Sequence, residues 1–386
     1  MEYRQELIEN VLPFWLDNAI DEKNGGVFTC LDETGKIYGR DKSVWFQGRA
    51  LWAFSKAYNL IGRDPKYLAA AETIYRFLPK CTDTDGRMFF TVTEAGEGLQ
   101  KRRYYFSETF AAIGCAEYYK ASGDPNALKD AGRYFTVAYE CFTGVRKTEP
   151  KIDPKHQDLK ALSPVMIMLS TAQVMRSLND ENREKYDRIA SECLNEVLHG
   201  GYFKENALLE NVKRDGSFSD TPTGRIVNPG HSLEAAWFIM TEGILRHDDE
   251  VIRKGREIID VTLPLGWDKT HGGIIAFTDA LGKPPVALEW DMKLWWPQCE
   301  AMIALYMAYL HFGDEKYLAF FDEIEAYVEK HFADRKNGEW YGYLHYDNTV
   351  SNTLKGNIFK GPFHVPRLFM VMDTLKETGS IEPFMK

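Results

Sequence analysis

Residues 271–312 read HGGIIAFTDALGKPPVALEWDMKLWWPQCEAMIALYMAYLHF. The stretch opens on a glycine turn, His271-Gly272-Gly273. A short β-prone run follows, Ile274-Ile275, and then a second turn at Asp279-Ala280-Leu281-Gly282. Turn, strand, turn is the signature of a small hairpin. From 293 to 312 the chain is apolar on nearly every side and rich in Ala, Leu, Met and aromatics, the pattern of a helix buried on most faces.

The same pairing of hairpin and buried helix recurs along the chain. Copies of the hairpin stand at Asn24-Gly25-Gly26-Val27-Phe28, Asp85-Gly86-Arg87-Met88-Phe89, His199-Gly200-Gly201-Tyr202-Phe203 and Asn337-Gly338-Glu339-Trp340-Tyr341. Glycines 25, 86, 200, 272 and 338 are separated by 61, 114, 72 and 66 residues. The gap of 114 is close to two ordinary steps and predicts a degenerate copy near Gly144, in CFTGVRKTEPKIDP. The chain then holds six units of about 60 residues each.

Strongly apolar helical patterns fall at 43–58, 104–122, 162–177, 228–246, 293–312 and 363–377. A second set, at 2–20, 64–79, 124–142, 181–198, 249–263 and 314–333, is charged on one face, and several of its members start at Asp-Pro or Gly-Asp. Twelve helices alternating outer and inner predict an all-α fold, an (α/α)6 barrel whose short hairpins gather at one end, just before the inner helices. With no interdomain linker in the sequence, residues 1–386 are expected to form a single domain.

Composition narrows the function. Lys and Arg number 47 against 57 Asp and Glu, a net charge of −10, which disfavours nucleic acid and anionic membranes as partners. The opening MEYRQELIEN has no apolar core and argues against a signal peptide, and no apolar run reaches membrane-spanning length. Six cysteines, at 30, 81, 115, 141, 193 and 299, form no CxxC pair. They read as free thiols in a cytoplasmic protein.

In such a barrel, functional residues belong on the hairpin loops and the first turns of the inner helices, around one central cavity. Arg49, His231, Glu234, Glu300, His364 and Arg367 all occupy those turns. Polar groups on buried helices are costly unless paired or hydrated. A buried network fixing helix positions would explain any one of them; a polar pocket explains all six more economically. His231 and His364 open the fourth and sixth inner helices, which are not neighbours, so their imidazoles can face one carbon from two sides. Two groups that titrate near neutrality suit epimerisation: one removes a proton, the other returns it on the far face. Arg49 or Arg367 could bind the enolate oxygen. Glu234 or Glu300 could orient an imidazole, and Trp237 and Trp296 could stack on a sugar ring. The rival chemistry is inverting glycoside hydrolysis by a carboxylate pair drawn from Glu108, Glu234 and Glu300, which leaves the histidines without a task. No HExxH or clustered Cys/His set points to a metal, and no Walker loop or dinucleotide fingerprint is present.

At these residues the chain resembles the N-acylglucosamine 2-epimerase family, whose superfamily also contains cellobiose 2-epimerases and aldose–ketose isomerases. The segments that carry the resemblance are Val44-Trp45-Phe46-Gln47-Gly48-Arg49, Asn228-Pro229-Gly230-His231-Ser232-Leu233-Glu234, Lys293-Leu294-Trp295-Trp296-Pro297-Gln298-Cys299-Glu300 and Phe359-Lys360-Gly361-Pro362-Phe363-His364-Val365-Pro366-Arg367. The resemblance implies the (α/α)6 barrel, with His231 and His364 as the catalytic acid/base pair, Arg49, Glu300 and Arg367 lining the site, and Glu234 in support. It implies interconversion of N-acetyl-D-glucosamine and N-acetyl-D-mannosamine through the open-chain sugar, with no metal or redox cofactor, and it leaves ATP open as an allosteric activator that is not consumed. Cellobiose 2-epimerases and the isomerases tend to carry a histidine in the third inner helix; here that helix reads Leu162-Ser163-Pro164-Val165-Met166-Ile167-Met168-Leu169, which favours the acylglucosamine enzyme. Met166 and Met168 offer an apolar patch for an N-acetyl methyl. A mannose–fructose isomerase, a cellobiose 2-epimerase and a non-enzymatic binding role remain as alternatives, and an exposed helical face leaves room for a homodimer.

Overall fold

The turns between inner and outer helices are the simplest local determinants of the fold. Inner helices end on left-handed residues, Gly123, His247 and Gly313, and the next residue, Asp124, Asp248 or Asp314, caps the outer helix by accepting from its first backbone N–H groups. Asp64 does the same ahead of Pro65. In the computed structural model, which describes residues 1–386 except 151, 152, 154, 179, 180 and 205, these four turns each join an inner helix to the outer helix that follows it.

The inner helices are Val44–Leu60, Phe106–Ser122, Leu162–Arg176, Pro229–Arg246, Trp295–Phe312 and His364–Thr378. Each packs on the next, and the sixth returns to the first, so the ring closes. The outer helices are Tyr3–Glu6 continued through Leu7–Val11 and Leu12–Ala19, then Pro65–Phe77, Pro125–Phe142, Arg183–His199, Asp249–Gly266 and Glu315–His331. The architecture is the (α/α)6 barrel that the repeat predicts. No helix among the described residues is long and apolar enough to cross a membrane.

Glycine sets the tightest contact in the ring. A Cβ on Gly48 would lie 2.5 Å from the Phe110 carbonyl carbon, and one on Gly114 2.7 Å from the Gly48 carbonyl oxygen. The first two inner helices therefore approach backbone to backbone.

The hairpins form a rim at one end. The first turn of an inner helix clamps its own hairpin: Gln47 bonds both backbone groups of Val27, and Gln298 both of Ile274. The strand before each inner helix pairs instead with the hairpin of the following unit. Lys42–Ser43 pairs with Thr91–Val92, Leu159–Ala161 with Asn211–Lys213, Ile226–Val227 with Thr278–Asp279, and Lys293–Leu294 with Tyr343–Leu344. Leu31 and Gly356 close the ring between the last unit and the first. One junction lacks this stitch. Gly144 does make a left-handed turn after the third outer helix, but among the described residues no strand follows it before Leu159. No hairpin forms among the described residues of that segment, and its residues 151, 152 and 154 lie outside them.

Candidate active site

A cavity of about 440 Å³ opens within the rim, in the range of small-molecule sites. Its charged wall comes from the first, fourth and sixth inner helices, which carry Arg49, His231, Glu234, His364 and Arg367.

His231 stands in the first turn of its helix, where the Asn228 side chain caps its backbone N–H. Its Nδ1 lies 2.6 Å from Glu210 Oε1. A carboxylate offers only lone pairs, so Nδ1 carries the proton and donates it, leaving Nε2 for other partners. His364 repeats the arrangement with Glu300 Oε1 at 2.8 Å. Both imidazoles flank Trp296, with ring centroids 5.2 and 5.7 Å from its indole. That indole lies so close to the fourth helix that a Cβ on Gly230 would come within 2.5 Å of it.

The two histidines differ in charge preference. Burial works against the imidazolium of His231, but the charge and hydrogen bond of Glu210, with Glu234 and Glu300 behind them, outweigh it and raise the pKa above the usual imidazole value. Burial also disfavours the imidazolium of His364, and there Arg367 and Arg49 push the same way, so it falls well below that value. His364 therefore favours its neutral form, and His231 keeps its proton to higher pH than an ordinary imidazole. Opposed shifts in a titratable pair are what acid/base chemistry at one centre needs.

Beneath them lies a buried network. Arg367 pairs with Glu234 at 2.5 Å and with Glu300 at 2.7 Å, which raises its pKa despite burial. Trp237 Nε1 donates to Glu300 Oε2 at 2.8 Å. Among the described residues Glu234, Glu300 and His364 bring three potential ligand atoms within 4.8 Å of one another, but the guanidinium of Arg367 already supplies the positive charge this cluster would otherwise draw from an ion. Arg49 is held over the Phe110 and Phe363 rings, 4.1 and 5.0 Å from their centroids. Burial lowers its pKa to about 9, and its Nε has no partner among the described residues. The guanidinium remains charged at neutral pH with donor capacity to spare.

Six of the eight residues singled out in the sequence line the cavity: Arg49, His231, Glu234, Trp296, His364 and Arg367. Two do not. Trp237 and Glu300 are 3% and 0% exposed and sit behind the wall, bonded to each other. They hold His364 and Arg367 rather than face the cavity. Met166 and Met168 are likewise buried behind the third helix, which presents Ser163, Ile167 and Ser170 instead. Glu108, a candidate for hydrolysis, is fully buried against Arg87 and the Met88 backbone, away from the cavity.

Glu210 and Glu289 are absent from the sequence reading. Glu289 reaches the cavity from the loop after Thr278–Asp279. Glu210 occupies a fixed place in the repeat, two residues after the one that the first inner-helix turn clamps. At that place Phe90, Glu210 and Gly342 each accept the first backbone N–H of the preceding inner helix. The side chains at 90 and 342 are apolar or missing, so aligning the hairpin copies exposes the glutamate as the exception.

A ring of inner helices, a polar cavity at the hairpin end and two carboxylate-anchored imidazoles on one indole define an enzyme of the carbon-acid isomerase kind. The family model of N-acylglucosamine 2-epimerase (GlcNAc 2-epimerase) matches residues 26–361. The N-acylglucosamine 2-epimerase of Rattus norvegicus is 33% identical over 384 residues, covering 96% of this chain and 90% of that protein. The cellobiose 2-epimerase of Ruminococcus albus is 28% identical over 97% of this chain and 98% of its own. Among solved structures, cellobiose 2-epimerase from Spirochaeta thermophila superposes with a TM-score of 0.83 at 22% identity, covering 98% of this chain and 97% of that one, a likeness of fold. The chain belongs to the N-acylglucosamine 2-epimerase family, and it is an isomerase.

Proposed function

We propose that the protein interconverts N-acetyl-D-glucosamine and N-acetyl-D-mannosamine by moving a proton at C2 of the open-chain sugar between His364 and His231. The observation that carries this reading is the pair of imidazoles flanking Trp296, each anchored through Nδ1, with opposed protonation preferences. In one direction, neutral His364 takes the C2 proton on Nε2. The C–H electron pair moves into C1–C2, and the C1 carbonyl becomes an enolate oxygen. The imidazolium that forms on His364 is stabilised by Glu300 through Nδ1. Arg49, with its unspent donor, binds the enolate. His231 returns a proton from its own Nε2 to the opposite face of C2, inverting it, and exchange with water resets both rings. The reverse reaction exchanges the roles. No step requires a cofactor, and ATP enters only as an activator that is not consumed. A homodimer is the assembly expected, to be read by sedimentation.

Proton NMR of N-acetylmannosamine in deuterated water, with and without ATP, tests the reading. N-acetylglucosamine carrying deuterium at C2 is expected, and His231→Ala and His364→Ala should each lower turnover by about 10²–10⁴-fold. Near-normal turnover in both variants would overturn the two-base mechanism. Fructose from mannose, with the amino sugar untouched, would place the enzyme among the aldose–ketose isomerases.

A further inference from the structure

The cavity has two chemically different halves. All the charge of its helical walls comes from the first, fourth and sixth inner helices. The second and third contribute Phe106, Phe110, Ile113, Ser163, Ile167, Ser170 and Thr171, with no ionisable group among them. In a closed ring of six, the second helix lies opposite the fifth, which carries Trp296, and the third lies opposite the sixth, which carries His364 and Arg367.

The uncharged half also runs deep. Ile113 follows the first residue of its helix, Phe106, by seven positions, and Ser170 follows Leu162 by eight. At the α-helical rise both lie about 10–12 Å below the rim. Its hydroxyls are unevenly used. Thr171 spends its hydroxyl on the Ile167 carbonyl, at 2.7 Å. Those of Ser163 and Ser170 have no partner among the described residues, while both residues are partly shielded. Two free hydroxyls beside two isoleucine side chains match an amide that carries a short alkyl group. Ser163, near the rim where C2 would sit, meets the amide, the isoleucines meet the alkyl carbons, and Ser170, about 10 Å further down the helix, lies at the far end of the acyl chain.

If C2 sits between the two imidazoles on the Trp296 side, a nitrogen substituent on C2 that avoids the charged wall points across the cavity towards this surface. We propose that Ile113, Ser163, Ile167 and Ser170 form the subsite for the N-acyl group and set how long an acyl chain the enzyme accepts. This rests on the epimerase reading above.

The test is kcat/KM for N-acetyl-, N-propanoyl- and N-butanoylmannosamine, measured by the same NMR assay. In the wild-type enzyme each added methylene should lower kcat/KM about tenfold or more, the usual discrimination of a closed apolar pocket. Ile167→Ala opens the subsite and should raise the butanoyl-to-acetyl ratio at least about tenfold. Ile113→Ala is the second variant, expected to act in the same direction should Ile167→Ala fold poorly. Ser163→Ala with Ser170→Ala should raise KM for the N-acetyl sugar with little change in kcat, because the amide is held alike before and during proton transfer. An active enzyme whose chain-length ratio stays within about twofold in both isoleucine variants overturns the subsite alone. An enzyme inert on every N-acyl sugar overturns the epimerase reading and the subsite with it.

Discussion

Glu210 bonds one ring nitrogen of His231 and, against the effect of burial, holds its proton to higher pH than an ordinary imidazole would. The same act at His364 falls to Glu300, but there burial, with two guanidinium groups beside it, outweighs the effect and leaves the ring a base. The free enzyme works with His364 neutral and His231 charged. His364 is neutral above its depressed pKa, and His231 is charged below its raised one. Activity should therefore rise with pH as His364 loses its proton, hold a plateau between the two pKa values, and fall at higher pH as His231 loses its own. Glu210→Gln removes the charge that raises His231, so the alkaline limb should move to lower pH while the acid limb stays in place. A kcat/KM profile against pH reads this directly. An alkaline limb that does not move in Glu210→Gln would mean that another group sets it, and a uniform loss at every pH would mark Glu210 as structural only. The residue scale is also where the sequence is least transparent. The six polar residues of the inner-helix turns are legible because charge is out of place on an apolar helix. Whether such a residue faces the cavity or braces one that does depends on a fraction of a helical turn, and that separates Glu234 from Glu300 and Trp296 from Trp237.

At the scale of elements the pattern is far more legible. Twelve helices are marked by periodicity, by Asp caps and by left-handed stops, and these local signals agree with the packing that results. Among the described residues the third hairpin does not form, because an interval in a repeat predicts a position and not a structure. CFTGVRKTEPKIDP has the turn glycine but lacks the apolar alternation that a strand needs. The crossing of the first two inner helices is likewise invisible beforehand, since neither Gly48 nor Gly114 declares a partner. Gly48→Ala drives a methyl into the Phe110 backbone, and the two helices have to separate. The intrinsic helical advantage of alanine offsets part of the strain, and a net loss of about 1–3 kcal/mol is expected, as a lower urea midpoint at unchanged slope. The same displacement shifts Phe110 beneath Arg49 and should lower kcat. A midpoint equal to or above that of the wild-type protein would show that the crossing has room to spare.

For the whole molecule, the pairing of each pre-helix strand with the next unit's hairpin makes the rim a chain of six links around the cavity. Five are made. In them the first backbone N–H of an inner helix often finds its acceptor in the neighbouring unit: Val44 donates to Phe90, Leu162 to Glu210 and Trp295 to Gly342. These bonds satisfy donors that a helix start would otherwise leave open, and they tie the position of each inner helix, and so of its catalytic turn, to the unit beyond. Glu210 is held in this way between the third and fourth units, which is why a hairpin residue can orient a helix residue. Between the second and third units the link is missing among the described residues, and there Arg146 reaches the Asp85 carbonyl by a single side-chain bond at 2.8 Å. Backbone amides without ladder partners open at little cost. Native-state hydrogen exchange should therefore find peptides covering 101–105 and 144–149 exchanging markedly faster than those covering 42–44, 159–162 and 293–295. Substrate or product bound at the histidines should slow the second group more than the first, because only stitched links connect to the carboxylates that hold the imidazoles. Equal protection at all six junctions would show that the rim closes through contacts other than these strands, and would detach the orientation of His231 from the ring.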